Sequence, residues 1–525
     1  MPASTFSLAT RAGFTNFKRA EAAASRLNRF EDAVLRAVDL DAERITAILQ
    51  ELIRTPSPSG AEGTAADASS MVGKVFSEAS GHGTSVSSQP VAPSSENVIE
   101  VLDGAGQGAF VIEAHTDAVP EGDGGSWLFG DAYAGRAGWV EYLGENRVAV
   151  EVDAKRIETQ IRPAMARVWE RHRSDRRRRI LYGRGSFDNK GCVASALLAT
   201  GALARACREL DVRLGGAVIA AYTVDEEEAA SGVRHFACGP SSWLASHGYL
   251  SGSRAADGML TDVSGVALDG SYGWTPVVGH RGALELAIRT RGRAAHAATP
   301  HLGVNAVTAM ARILTALADG SEELAERAGA GLTRGLLGPL TVVTGSTIVG
   351  GGVRTVRRDG QIRVDRSALN VVPDWCEATL DIRFPQGRRY PTDTVAAKDG
   401  VLAAVRQYID LHVEREGWSY DIEEIMWTPP VAMAQSIEAA AALPIVRQQR
   451  RRATQVLGYE PDLEIAPGGT DATYMIHDAQ IPSIVELGPA GGLSHDVHEY
   501  VEIDSVIAGA KILALLALDR VGLAG

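Results

Sequence analysis

Three mostly apolar runs, at residues 97–102, 108–114 and 218–223, constrain this chain more than any other feature. A strand that is apolar on successive residues has to be covered on both faces, as in a sheet held between helices. Helical patterns at 192–210 and 233–244 alternate with these runs, which predicts an α/β fold with its sheet covered on both faces. At 525 residues the chain has material for about two to four domains and a large core.

Helical spacing also runs through residues 18–53, where Leu27, Phe30, Val34 and Val38 lead on to Ile45, Leu49 and Leu52 before a turn at Pro56 and Pro58. From about residue 276 the texture changes: alternating strands at 283–291 and 377–384 are interleaved with helices at 305–317 and 394–413. That pattern predicts a smaller α+β domain, 276–428, inserted between 1–275 and 429–525. The last segment returns to the first domain with a helix at 437–457, a strand at 483–487 and a closing helix at 503–518. Two stretches stand outside the scheme. Residues 131–181 form an atypical insertion, with a polar hairpin and a helix ending in an arginine run, Arg171 to Arg179. Residues 353–365 form a second arginine-rich hairpin.

Charge limits the partners. Lys plus Arg is 52 against 65 for Asp plus Glu, a net charge of −13, which opposes nonspecific attraction to nucleic acid or anionic lipid. No nucleic-acid or membrane partner is expected, and the arginine runs read as solvated faces or as contacts for an acidic substrate or partner. The four cysteines contain no C-x-x-C pair, so neither a disulfide framework nor a thiolate zinc site is signalled. With no apolar run near the roughly 20 residues of a membrane span, a cytoplasmic protein is expected. Residues 1–20 lack acids and carry Arg11, Lys18 and Arg19, a composition shared with transit peptides but read here as the start of a helix.

Chemistry gathers at the ends of the apolar runs. His115-Thr-Asp117 follows one strand, placing an imidazole and a carboxylate on one face, where the second can orient the first; a structural hydrogen bond is the alternative. The turn Gly183-Arg-Gly-Ser-Phe-Asp188 precedes a helix, so Asp188 could bridge two cations or cap that helix. Asp225-Glu-Glu-Glu228 follows another strand as a run of acids that bound cations would relieve, unless it is a solvated loop. Asp269 ends a further apolar run, and His495 and His498 lie before the closing helix. Together these offer the mixed nitrogen and oxygen donors suited to a pair of zinc, cobalt or manganese ions.

In order and context these pieces resemble the acetylornithine deacetylase, succinyl-diaminopimelate desuccinylase and carboxypeptidase G family of metal-dependent aminoacylases and exopeptidases, over about residues 40–525. The resemblance implies a zinc-aminopeptidase-like catalytic domain, a mixed sheet covered by helices, with an inserted ferredoxin-like lid that dimerises. It implies two divalent cations, zinc foremost, with His115 and Asp269 at the first, Glu227 at the second, Asp188 bridging them and His495 as the final histidine ligand. Asp117 becomes the orienting carboxylate and Glu226 the general base, with His495 preferred to His498 by its distance from Glu499-Tyr-Val501. The extended run of acids leaves the choice between neighbouring glutamates open by one residue. In the lid, His296 is implied to polarise the scissile carbonyl across a dimer, while Asn370 and Arg383 hold a substrate carboxylate and Gly468 and Gly469 form the opposite wall.

The expected activity is hydrolysis of an amide next to a carboxylate-bearing group, in an N-acyl amino acid, a dipeptide or a similar conjugate. Two alternatives are a hydrolase releasing ammonia from a non-peptide amide and a metal-stabilised binding protein without turnover. Retention of Glu226 speaks against the last, because a scaffold needs no proton shuttle.

Overall fold

The computed structural model describes residues 8–59, 84–122, 124–171, 176–328, 336–351, 353–358, 361–366, 370–385, 394–414 and 416–524. It divides into two compact units: Met1–Val277 with Ala441–Glu464 and Thr470–Gly525, and Val278–Ala440 with Ile465–Gly469. The second unit runs past residue 428 because Val431–Ala432 pairs antiparallel with Gly279 and His280.

The first unit is built on a mixed sheet with strand order Thr84–Ala92, Ser95–Leu102, Ala217–Thr223, Ala109–His115, Val263–Leu268 and Ser483–Leu487. The last four are mutually parallel, and the first two form an antiparallel hairpin that joins the sheet antiparallel to Ala217–Thr223. Every residue of Ala109–His115, Ala217–Thr223 and Val263–Leu268 is buried, as continuous apolar strands between helical layers require. The helices Leu8–Arg54, Gly191–Leu210 and Ile503–Val521 pack together in one layer. In another, Val233, Phe236, Trp243 and Met475 close over Ile99, Val111 and Ile219. Among the described residues no helix is long and apolar enough to cross a membrane.

Several helix boundaries differ from expectation for local reasons. The pattern at 233–244 is two helices, Ser231–Ala237 and Trp243–Ser246, because Gly239 takes φ +79° and Pro240 follows it. The 437–457 helix is interrupted at Pro444, which starts Pro444–Leu457 after Ile437–Ala441. Only the first residue of the arginine run ends a helix, Pro163–Arg171; residues 172–175 lie outside the described residues, and Arg177–Arg179 lie on the strand Arg177–Tyr182.

That strand shows what the 131–181 segment is: an added antiparallel sheet ordered Gly491–Gly492, Tyr500–Glu502, Arg177–Tyr182, Arg136–Gly144, Arg147–Val152 and Lys155–Gln160. Met165, Val168 and Trp169 of the following helix share a buried cluster with Val140, Val148 and Val150.

The second unit holds a four-stranded antiparallel sheet in the order Thr341–Gly350, Trp375–Phe384, Gly282–Arg291 and Ser419–Thr428. With the helices Ala306–Asp319 and Thr394–His412 the chain order is βαββαβ, the split-βαβ arrangement. Alternation in Trp375–Phe384 buries Cys376, Ala378, Leu380, Ile382 and Phe384 with Met310, Ile313, Val405 and Ile409 of the helices.

Candidate metal centre

The parallel strands of the first unit end level with one another. His115 lies opposite Thr223, and Ala114 opposite Leu268, so the segments that follow share one edge of the sheet. Open α/β sheets build their sites at this carboxyl edge.

His115 is 2% exposed. Its Nε2 lies 3.3 Å from Asp188 Oδ1 and 3.9 Å from Asp269 Oδ1. The second Asp188 oxygen lies 3.4 Å from His495 Nε2, which is itself 3.2 Å from Glu227 Oε2. Asp188 therefore belongs to two donor groups at once, His115–Asp188–Asp269 and Asp188–Glu227–His495, each with its donor atoms within 4.8 Å of one another. The Asp188 carboxylate caps no helix: the helix Gly191–Leu210 has Lys190 at its N-cap position, with no side-chain cap.

Asp117 braces the cluster from behind. Its Oδ1 lies 3.4 Å from His115 Nδ1 and accepts the Glu226 amide at 3.2 Å, while Oδ2 accepts the Glu227 amide at 3.3 Å and the Ser59 hydroxyl at 2.5 Å. One carboxylate thus orients the imidazole and holds the acidic loop, which turns after Thr223 through Asp225 at φ +66°. In that loop Glu227 reaches His495 and Asp188, Glu226 is in electrostatic reach of His115 and Asp269, and Glu228 is exposed. His498 turns elsewhere, its ring 5.5 Å from that of Phe129 and 6.5 Å from that of Tyr182.

The electrostatics are those of crowded acids. Burial pushes the Glu226 pKa well up, and it also raises Asp269 and Glu227, each with a further push from Asp188. Asp188 moves the other way; burial opposes its charge, but the two imidazoles hold its pKa down. Bonds to Asp188 and Glu227 lift His495 to about 10, and around His115 three carboxylates outweigh burial and raise its pKa well above the usual range. Among the described residues, His115 Nε2 and Glu227 Oε1 are buried without a hydrogen-bond partner. Three carboxylates and two imidazoles converging on shared atoms, with buried donor atoms left over, fit divalent cations of the zinc type.

The chain matches the peptidase family M20/M25/M40 over residues 159–519. It belongs to this family. Members are metal-dependent hydrolases, and the chain is accordingly a metallopeptidase-type hydrolase. It is 26% identical over 345 residues to a succinyl-diaminopimelate desuccinylase of Roseobacter denitrificans, covering 65% of this chain and 74% of that one. Its fold is similar to an M20 family metallo-carboxypeptidase from Sulfolobus solfataricus (TM-score 0.58, 15% identity, 90% and 98% of the two chains). It is also similar to human carnosine dipeptidase 1 (TM-score 0.56, 16% identity, 94% and 99%).

In the second unit, the strand Ala295–His296 pairs with Val371–Val372, and the Ala297 amide donates to the Asn370 carbonyl at 2.8 Å, so His296 and Asn370 are neighbours. His296 is exposed, its Nδ1 accepting the Ala298 amide at 3.0 Å. Arg383 is not an open fork: its Nε and Nη2 each donate to Asp381 at 2.8 Å. Gly469 comes close to Thr428, where a Cβ would lie 3.0 Å from the methyl, whereas Gly468 faces open space.

The residue that the sequence reading left without a role is Glu499. Fully buried, it accepts the Arg184 guanidinium at 2.7 Å and the amides of Gly185 at 3.0 Å and of Phe187 and Asp188 at 2.9 Å each. It ties down the turn that presents Asp188. Its signal in the sequence is faint, because His495, Asp496, His498 and Glu502 surround it and only the adjoining Tyr500-Val501 hints at burial, where an acid needs partners.

Proposed function

We propose that this chain hydrolyses an amide bond adjacent to a carboxylate-bearing group in a small substrate such as an N-acyl amino acid or a dipeptide. The observation that carries the reading is Asp188, whose two oxygens face His115 and His495 while Glu226 stands beside them. Divalent cations, zinc foremost, would be held by His115, Asp188 and Asp269 and by Asp188, Glu227 and His495, where they supply Lewis acidity toward water and a carbonyl oxygen. Glu226 takes the proton of the attacking water and returns it to the departing amine. Asp117 fixes the His115 tautomer through Nδ1. His296 donates to the carbonyl oxygen as its negative charge grows, and Asn370 holds the substrate carboxylate. Arg383 joins Asn370 once its fork leaves Asp381. The second unit serves as lid and dimer contact. A relative named for removing succinyl from diaminopimelate supports an amide as the bond cleaved.

The test is amine release from a panel of N-acyl amino acids and dipeptides, with bound metal measured in parallel. Glu226→Gln is expected to keep its metal and lose about 10²–10⁴-fold in kcat. Release of ammonia without an amino acid product would replace this reading with that of an ammonia-releasing amidase, and full activity in Glu226→Gln would remove the general base.

A further inference from the structure

The added sheet and its helix border a cavity of ≈ 160 Å³, walled by Ile161, Arg162 and Met165 of the 131–181 segment together with Phe187, Tyr272 and Leu493. Three of its lining residues are chain neighbours of the cluster: Phe187 precedes Asp188, Gly270 follows Asp269 and Ser494 precedes His495. Its lining therefore holds the chain neighbours of three donor residues. Gly491 closes one side, where a Cβ would stand 2.4 Å from the Phe187 ring.

Arg162 is the unusual residue in this wall. Other arginines of the segment are held by carboxylates: Arg171 by Asp462, Arg177 by Glu151, Arg178 by Glu502 and Arg179 by Asp504. Among the described residues Arg162 has no carboxylate within 4.0 Å, and its Nη1 donates instead to the buried Tyr272 hydroxyl at 3.1 Å. A guanidinium anchored through one nitrogen keeps further donors for a planar anion, and the remaining walls are mostly apolar.

We propose that this cavity is a substrate subsite for a short carbon chain ending in a carboxylate, with Arg162 pairing with the carboxylate and Ile161, Met165, Phe187 and Leu493 covering the chain. The inference rests on the amide-hydrolase reading for the place of the reacting bond, and it makes one flank of that bond anionic. The carboxylate belongs either to the acyl chain or to the side chain of the released amino acid.

The test compares glutarate with pentanoate, which lacks only the second carboxylate, by titration calorimetry on the full, metal-loaded chain. Glutarate is expected to bind about tenfold to a hundredfold more tightly. Arg162→Met should abolish that difference, and Arg162→Lys should restore part of it, with thermal midpoints showing both variants folded. Equal binding of the two acids, or a difference that survives in Arg162→Met, overturns the subsite. Hydrolysis of N-glutaryl-leucine against N-pentanoyl-leucine, and of N-acetyl-glutamate against N-acetyl-leucine, then assigns the carboxylate to one flank or the other. A calorimetric difference without hydrolysis of any substrate would remove the hydrolase reading and leave the subsite in place.

Discussion

The donor groups of the first unit and the residues proposed to meet substrate in the second are for the most part made in opposite ways. His115, Asp117 and Asp188 are 2%, 1% and 14% exposed and are held by bonds from distant segments, whereas His495, at 57%, is the exposed member of the donor groups. His296 is exposed on a two-residue ladder, Asn370 is exposed just before the partner strand, and Arg383, 30% exposed, holds an acid of its own strand. Burial with cross-bracing preorganises a charge cluster before anything binds. Exposure leaves the second set free to adjust to what binds.

The largest effect that sharpens this contrast concerns Glu499. Glu499→Ala leaves the buried Arg184 charge and three amides without their acceptor, and should cost about 3–5 kcal/mol of stability in denaturant unfolding. The partly exposed counterpart, Asp381→Ala, should cost at most about 1 kcal/mol; equal costs would break the comparison. Next, His296→Ala should lower kcat by about 10²–10³-fold while bound metal stays at the wild-type level. Metal loss in that variant would place His296 in the cluster instead.

Asp117→Asn should weaken metal affinity or activity by about 10–100-fold, measured by competition with a chelator. The smallest effect separates burial from crowding. Glu100 is as buried as His115 but stands outside both donor groups, and burial holds its pKa well above the ordinary range against the help of the Thr200 hydroxyl. A carboxyl whose folded pKa is raised contributes stability below the unfolded pKa and loses it as pH rises toward the folded value. Glu100→Gln should therefore match the wild type near pH 4 and exceed it by about 1–2 kcal/mol at pH 8. A gain that did not grow with pH would show Glu100 to be charged and paired.

Much of the first unit was legible because it depends on local pattern. Continuous apolar runs required a covered sheet, and acids or imidazoles after those runs had to meet at one edge once the strands ran parallel. What escaped depended on partners hundreds of residues apart. Glu499 receives amides from residues 185, 187 and 188, and no spacing rule joins such segments. The far end of the arginine run is a strand that its pattern conceals, because the basic residues hide the alternation of Arg177–Tyr182, whose inward residues become apolar only from Ile180. Arg383 and Asp381 are two positions apart on one strand face, so their pairing could have been read from the period of two.

The proposed function turns on one carboxylate, Asp188, serving two cations. Anomalous diffraction at the zinc edge from metal-loaded crystals would show whether it does. Two peaks are predicted, one against His115 and Asp269 and one against Glu227 and His495, with an Asp188 oxygen on each. A single peak, or two peaks with Asp188 bound to one alone, would contradict it.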